Sequence, residues 1–190
     1  MTFPDRIKLP ILFDHSLMRQ DLEKLKNNEW VEHFVKNNFE GDWSIIPLRS
    51  PKGETHPIRM SYSDPSQNEF VDTHFLKQTS YLPEVVGWFK CPVKSVRLMK
   101  LAAGSIIKKH TDLDLAAEYG EARLHVPIET NTDVHFFLND SEVFMNQGEC
   151  WYLRLSDPHN VDNNSQSDRI HLVLDVVVND WLEQKLRLPL

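Results

Sequence analysis

Arg169-Ile170-His171-Leu172-Val173-Leu174-Asp175-Val176-Val177-Val178 is a run in which two kinds of residue alternate. Successive side chains of a strand point to opposite faces. Ile170, Leu172, Leu174, Val176 and Val178 therefore share one face, and Arg169, His171, Val173, Asp175 and Val177 share the other. In a closed barrel one of these faces points inward. If it is the face with Arg169 and His171, a guanidinium is buried, and a buried charge without a partner is very costly. Two kinds of partner are open. One is an acidic ligand, gripped in the bidentate geometry that Arg offers and Lys does not. The other is a structural ion pair with Asp112, Asp157 or Asp175.

Upstream of this run the texture is the same. Short β-prone stretches at 93–101, 106–112, 122–128, 134–138, 142–146 and 150–155 alternate with joints at Gly104, Asn131, Asn139-Asp140, Gln147-Gly148 and Asp157-Pro158. Short strands at such spacing predict an all-β sandwich or barrel. Residues 1–92 read differently. Asp14 or Ser16 caps a helix carrying Leu17, Leu22 and Leu25. Trp30, His33, Phe34 and Asn37 recur at helical spacing up to Gly41, with His33 as a packing residue. Trp43 to Arg49 reads as a strand. The stretch from Ser50 to Asn68, with Pro51, Gly53, Pro57 and Pro65, is loop chemistry, either a substrate lid or a variable surface loop. A helix follows from Leu82 to Phe89, with Pro83 tolerated in its first turn, and a last short helix runs from Asp180 to Leu186. The expected organisation is one domain over 1–190: a helical and loop part (1–92), a β core (93–178) and a C-terminal helix and tail (179–190).

Composition sets outer limits. A chain of 190 residues buries a real core, and 41% hydrophobic residues exclude a largely disordered one. A formal net charge of −7 argues against nucleic acid or an anionic membrane as partner. Met1 to Pro10 does not read as a secretory signal, and no apolar stretch approaches the roughly 20 residues of a membrane helix. Cys91 and Cys150 are expected to be buried thiols in a reducing compartment, the cytoplasm. Oligomeric state is left open.

The chemistry-bearing pattern is His110-Thr111-Asp112, then His159, then Arg169 ten residues beyond it. Positions two apart on a strand share a face, so His110 and Asp112 reach one ion. Two imidazoles and one carboxylate, with other positions left open, suit non-haem iron(II) that must also bind a cosubstrate and O₂; zinc is the competing occupant. Alone, the His-x-Asp piece is equally a polar strand end with Asp capping a turn. Arg123-Leu124-His125 repeats the Arg-x-His arrangement on another strand. It holds either a carboxylate of cosubstrate or substrate, or a structural Arg with a core His. His135, alternating with Phe137, lines the same cavity or lies exposed. No GxSxG, CxxC, Walker A or GxGxxG motif is present.

Together these pieces resemble a known family. His110-Thr111-Asp112, Arg123-Leu124-His125-Val126, Gly148-Glu149-Cys150-Trp151-Tyr152-Leu153, Asp157-Pro158-His159 and Arg169 to Asp175 follow in the order and spacing of the aspartyl/asparaginyl β-hydroxylase-type domain. The resemblance implies a mainly β (α+β) fold: a double-stranded β-helix core, jelly-roll or cupin-like, with N-terminal helices packed outside. It implies an Fe(II)- and 2-oxoglutarate-dependent dioxygenase with His110, Asp112 and His159 on the metal. Arg169, with Arg123 and His125, would hold 2-oxoglutarate, and succinate and CO₂ would be the co-products. A finer likeness is to bacterial proline hydroxylases, which share Gly-Glu-x-Trp before the distal His and Arg-x-His-Leu-Val after it. It makes Arg49, with His135 and His171, a substrate-contact candidate and points to a free, proline-like amino acid. Vertebrate-type members replace the acidic ligand with Gly, where this chain has Asp112. They also hold the cosubstrate with a Ser, where this chain has Met99. The alternatives are a peptidyl aspartyl/asparaginyl β-hydroxylase, a non-catalytic cupin-like binding module, or a zinc-loaded isomerase or hydrolase of the same barrel class.

Overall fold

The computed structural model describes residues 3–28, 30–61 and 67–187. In chain order the elements are β1 (Arg6–Leu12), α1 (His15–Leu25), β2 (Val31–Glu32), β3 (Phe39–Glu40), β4 (Trp43–Pro51), α2 (Pro57–Met60), β5 (Phe70–Asp72), α3 (His74–Lys77), α4 (Leu82–Gly87) and β6 (Val93–Leu101). They continue with β7 (Ile106–His110), β8 (Glu121–Glu129), β9 (Val134–Leu138), β10 (Ser141–Glu142), β11 (Glu149–Leu153), β12 (His159–Asn163), β13 (Arg169–Val177) and α5 (Asp180–Leu186).

Two antiparallel sheets face each other. The larger runs β1-β11-β8-β13-β6-β4-β2, with β5 added to β4, and the smaller runs β10-β9-β12-β7-β3. The strand pattern predicts a sandwich or barrel, and the arrangement is the double-stranded β-helix that the family resemblance implies. β13 lies at the centre of the larger sheet, paired on one side with β6 and on the other with β8. Its alternation sorts the core into two layers. Ile170, Leu172, Leu174 and Val176 pack outward against the helices, with Met18, Leu22 and Leu25 of α1 and Leu82 and Val85 of α4. Val173 points between the sheets, among Ile45, Met99, Ile107, Phe136 and Val161. Arg169, His171 and Asp175 share that inner face by the same period of two, and all three are buried.

The helices are held by specific groups. Asp14 caps α1 by accepting from the N–H groups of Ser16 and Leu17. Asp21, buried on α1, accepts the N–H groups of Ser80, Tyr81 and Leu82 at 2.8, 2.6 and 2.9 Å, and so ties α1 to the start of α4. Gly148 joins β1 to β11. Its φ is +81°, and a Cβ there would sit 2.3 Å from the carbonyl oxygen of Phe13, so only glycine fits.

Four expectations need correction. The segment 1–92 is not only helix and loop. β1 and β4 belong to the larger sheet, β4 directly beside β6. β1 carries Ile7 and Leu9 inward, but its seven residues include Pro10, which hides the strand signal. The helix expected from Trp30 to Gly41 is replaced by β2, a 3-10 turn at Lys36–Asn38 and β3. Pairing with β4 takes the backbone instead: the N–H of His33 donates to the carbonyl of Trp43 at 2.8 Å. The strand expected at 142–146 shrinks to β10, because Asn139 and Asp140 both take positive φ (51° and 58°) and fold the chain tightly back onto β9. Finally, between the stretches read at 150–155 and 169–178 the structure adds a strand that the pattern does not offer, β12, which His159 opens. In the stretch read as a lid or surface loop, 57–60 form α2 and 62–66 lie outside the described residues; β5 follows it at 70–72.

Candidate metal and cosubstrate site

β7 ends at His110 and β12 begins at His159, and the two residues are direct partners across that ladder. Their rings lie 4.3 Å apart between centroids. Asp112, two residues past the end of β7, is fixed by its N–H donating to the carbonyl of Leu155 at 2.8 Å. One ligand atom from each of His110, Asp112 and His159 lies within 4.8 Å of the others. That span is one that an ion with bonds of about 2.0–2.2 Å to imidazole nitrogen and carboxylate oxygen draws together. Main-chain acceptors select the tautomers. His110 Nδ1 lies 2.7 Å from the carbonyl of Lys108, and His159 Nδ1 lies 2.9 Å from that of Asp157. With Nδ1 protonated in both, Nε2 is the free donor in both. Phe136 lies parallel to the His159 ring, interplanar angle 1°, with centroids 6.2 Å apart. Burial lowers the His159 pKa, which favours the neutral, ligating form.

A cavity of about 40 Å³ opens from this triad toward Arg169, with Met99, His125 and Phe136 in its walls. Arg169 is buried, and no carboxylate pairs with it among the described residues. Its Nη2 meets His171 Nδ1 at 2.9 Å and its Nε has no partner. Burial alone pulls the guanidinium down to about 9. His125 lines the same cavity with both ring nitrogens unpartnered. Burial, followed by the nearby Arg169, holds the pKa values of His125 and His171 well below the ordinary imidazole range. A buried cation facing only neutral groups fits an incoming carboxylate, and the His/Asp/His set with open positions fits iron(II) and dioxygen. The residues present thus fit iron(II), 2-oxoglutarate and O₂ as a set.

At the other end of the inner face of β13, charges are paired. Asp175 accepts from Arg123 Nε at 2.6 Å, from Arg97 Nη2, and from the Ser95 hydroxyl at 3.1 Å. Arg123 also donates through Nη1 to Asp112 Oδ2 at 2.8 Å, leaving Oδ1 on the side of His110. Burial works against the charge on Asp175, but Arg123 and Arg97 outweigh it and hold the carboxyl well below the usual range. Burial likewise opposes the charge on Arg123, yet Asp175 and Asp112 keep that guanidinium above its ordinary value. Arg97 is pulled down to about 10, because burial prevails there.

Arg123 and His125 line the cavity as expected, although Arg123 is already engaged by two carboxylates. Three candidates do not reach it. Arg49 donates to Asp72 at 2.5 Å and to the carbonyl of Val93 at 3.1 Å, tying β4 to β5 and β6. His135 points the other way: on β9 it is Phe136 and Leu138 that face in, and His135 pairs with Glu142 at 2.6 Å. His171 backs Arg169 and does not line the cavity. Sequence reasoning passed over Arg97 and Trp43 as site residues. Arg97 sits in 93–101 as an inner-face position opposite Val173, a signal that strand register supplies and periodicity alone does not.

Cys91 and Cys150 are free and buried. Among the described residues no helix is long and apolar enough to cross a membrane. Residues 13–178 match the model of the aspartyl/asparaginyl beta-hydroxylase family. The chain is 28% identical over 182 residues to an L-proline cis-4-hydroxylase of Rhizobium meliloti (strain 1021), covering 93% of this chain and 62% of that protein. It is 23% identical over 178 residues to L-proline cis-3-hydroxylase 1 of a Streptomyces species, covering 92% of this chain and 61% of that protein. It therefore spans less than two thirds of either curated relative. A crystal structure of a 2OG-Fe(II) oxygenase family oxidoreductase from Burkholderia pseudomallei superposes with a TM-score of 0.55 at 14% identity, covering 91% of this chain and 85% of that one, and so shares its fold. By fold, by motif order and by the match over most of its length, the chain belongs to the aspartyl/asparaginyl β-hydroxylase family.

Proposed function

We propose that this protein is an Fe(II)- and 2-oxoglutarate-dependent dioxygenase that hydroxylates a C–H bond of a free, proline-like amino acid. The observation that carries the reading is Arg169: a buried guanidinium with no carboxylate partner among the described residues, in the cavity that also holds His110, Asp112 and His159. His110, Asp112 and His159 hold the iron, and they are the catalytic set. Arg169 takes the far carboxylate of 2-oxoglutarate, and His171 holds the guanidinium in place. His125 donates to a cosubstrate oxygen, and Arg123 keeps Asp112 turned toward the ion. Bound iron(II), with 2-oxoglutarate and O₂, supplies the oxidising power that replaces C–H by C–OH and releases succinate and CO₂. The protein supplies ligand geometry, cosubstrate orientation and a walled pocket. The two curated relatives, whose names give L-proline as substrate, support the amino-acid class. Two buried reduced thiols and the acidic balance favour the cytoplasm, with no nucleic-acid or membrane partner.

The test is turnover with Fe(II), ascorbate and 2-oxoglutarate, with succinate and any gain of one oxygen read by mass spectrometry. Free amino acids and aspartyl- or asparaginyl-containing peptides form the panel. Succinate formation that His110→Ala and Arg169→Ala abolish is the expected result. Binding of 2-oxoglutarate without succinate under any condition would leave a binding module, and activity that persists without O₂ would leave a zinc enzyme. Hydroxylated peptide in place of hydroxylated amino acid would move the substrate class.

A further inference from the structure

The triad stands at the junction of two cavities. One leads to Arg169. The other, of about 200 Å³, shares Trp43, His110 and Asp112 with it and is lined as well by His33, Phe34 and Arg97. His33 lies flat on Trp43, centroids 3.6 Å apart at 7°, and Phe34 stacks on the other side of His33 at 4.8 Å and 18°. Phe39 braces Trp43 edge-on at 5.9 Å. The stack is fixed by backbone pairing. The His33 N–H donates to the Trp43 carbonyl at 2.8 Å, and His33 Nδ1 accepts from the N–H of Val35 at 3.3 Å. Two donors in this lining are buried without an acceptor among the described residues, Trp43 Nε1 and Arg97 Nε. Buried donors are normally paired, so unpaired ones in a cavity wall mark where ligand oxygen belongs. The volume lies below the roughly 300–1,000 Å³ of drug-sized ligand pockets, which suits a small amino-acid side chain or one free amino acid.

We infer that the Phe34–His33–Trp43 stack is the wall of the substrate subsite and sets the ring size the protein accepts, with His33 as its middle layer. This rests on the dioxygenase reading above and adds the element that selects the substrate. Stacked planar rings give a flat and stiff surface, because aromatic side chains have few rotamers, and both His33 and Trp43 are held by two other rings. A five-membered imino acid lies flat against such a wall with its carboxylate near the orphaned donors. His33 serves as a neutral ring: burial first, then Arg97 and Arg123, bring it down to about 3. A charged lysine or arginine at the same place would meet the two guanidiniums.

Zinc(II) in place of iron keeps the protein inert, so binding is read by calorimetry without turnover. Wild type, His33→Ala and His33→Phe, each loaded with zinc(II) and 2-oxoglutarate, are titrated with L-proline, its six-membered-ring homologue and a proline-containing tripeptide. The expected result is loss of proline affinity by tenfold or more in His33→Ala with little change for the larger ring. His33→Phe should recover proline, and 2-oxoglutarate affinity should stay within twofold throughout. An unchanged proline-to-homologue ratio in folded His33→Ala overturns the wall. So does wild type that takes 2-oxoglutarate and the tripeptide but neither free imino acid, which leaves the dioxygenase reading intact. Wild type that fails to take 2-oxoglutarate at all overturns that reading, and the wall with it.

Discussion

The inner face of β13 carries buried charge at both ends, and the two ends are solved differently. At Asp175 two guanidiniums meet one carboxylate, a serine hydroxyl completes the shell, and the second carboxylate of Asp112 completes the balance. At Arg169 one guanidinium meets only a neutral imidazole. In the first arrangement the charges balance without a ligand, and only a neutralised guanidinium's spare N–H, Arg97 Nε, is left over. The second is closed only by something from outside. A buried cation without an anion lowers the stability of the empty protein and becomes an asset once an acidic ligand arrives. One strand thus holds both a strut and a receptor, six residues apart.

Asp175→Asn should give the largest effect of any single change here. It leaves Arg97 and Arg123 buried without their shared anion, at a cost on the order of 3–5 kcal/mol. For a domain of this size that is a fall in Tm of about 6–20 °C. A loss under about 1 kcal/mol by urea unfolding would show that the closed end is no strut. Arg169→Met should have the opposite sign in the empty protein, with stability unchanged or raised by about 1 kcal/mol. The same variant should lose 2-oxoglutarate affinity by about 100-fold, because charge-assisted bidentate hydrogen bonds go with the guanidinium. Thermal shift with and without 2-oxoglutarate measures both. If Arg169→Met destabilises as much as Asp175→Asn, the two ends are alike and the comparison fails.

Acid should separate the ends next. His125 and His171, at the open end, have folded pKa values well below the ordinary one, so the unfolded chain binds more protons once pH falls below about 6.5. Stability is therefore complete above that pH and declines below it, by on the order of 1 kcal/mol per imidazole at pH 5.5. Asp175 has a depressed pKa, so its contribution is full above the usual carboxylate value and is lost only at more acidic pH. His171→Asn should flatten the pH 5.5–7 part of a Tm-against-pH curve and leave the more acidic part in place; an unchanged slope would remove His171 from the account. The smallest effect belongs to His135→Ala. Its half-buried pair with Glu142 is worth about 1 kcal/mol or less, and 2-oxoglutarate binding should not move. A loss of binding there would mean that the outer face of β9 reaches the site.

The alternation in β13, the joints around it and the order of His110, Asp112, His159 and Arg169 were readable because strand period and ligand chemistry are local properties. The fold class followed from them. What was hidden depends on partners far along the chain. β12 is His159-Asn160-Val161-Asp162-Asn163, a poor strand by propensity, and it forms because β7 and β9 offer ladders on both sides. Trp30 to Asn37 shows helical spacing that the pairing of Val31 and Glu32 with β4 overrides. His135 was placed near the site by a guess of face, and Arg49 by resemblance alone. A shift of one position reverses the face, and the register is fixed only by the neighbouring strand. Arg97 carried no motif at all, and its importance appears only in its ion pair with Asp175.

The larger sheet has a consequence for how the protein is made. Its neighbours are β1 with β11, and β4 with β6, which in turn borders β13, so pieces of the first quarter of the chain are cemented by pieces of the last third. Pairings this distant in sequence are slow to form. On the ribosome, an emerging chain would carry His110 and Asp112 for many residues before His159 and the strand after it could join them. The metal centre is then a late arrival in the cell, and scarce iron during synthesis should delay only the final step of maturation, not the assembly of the sheets.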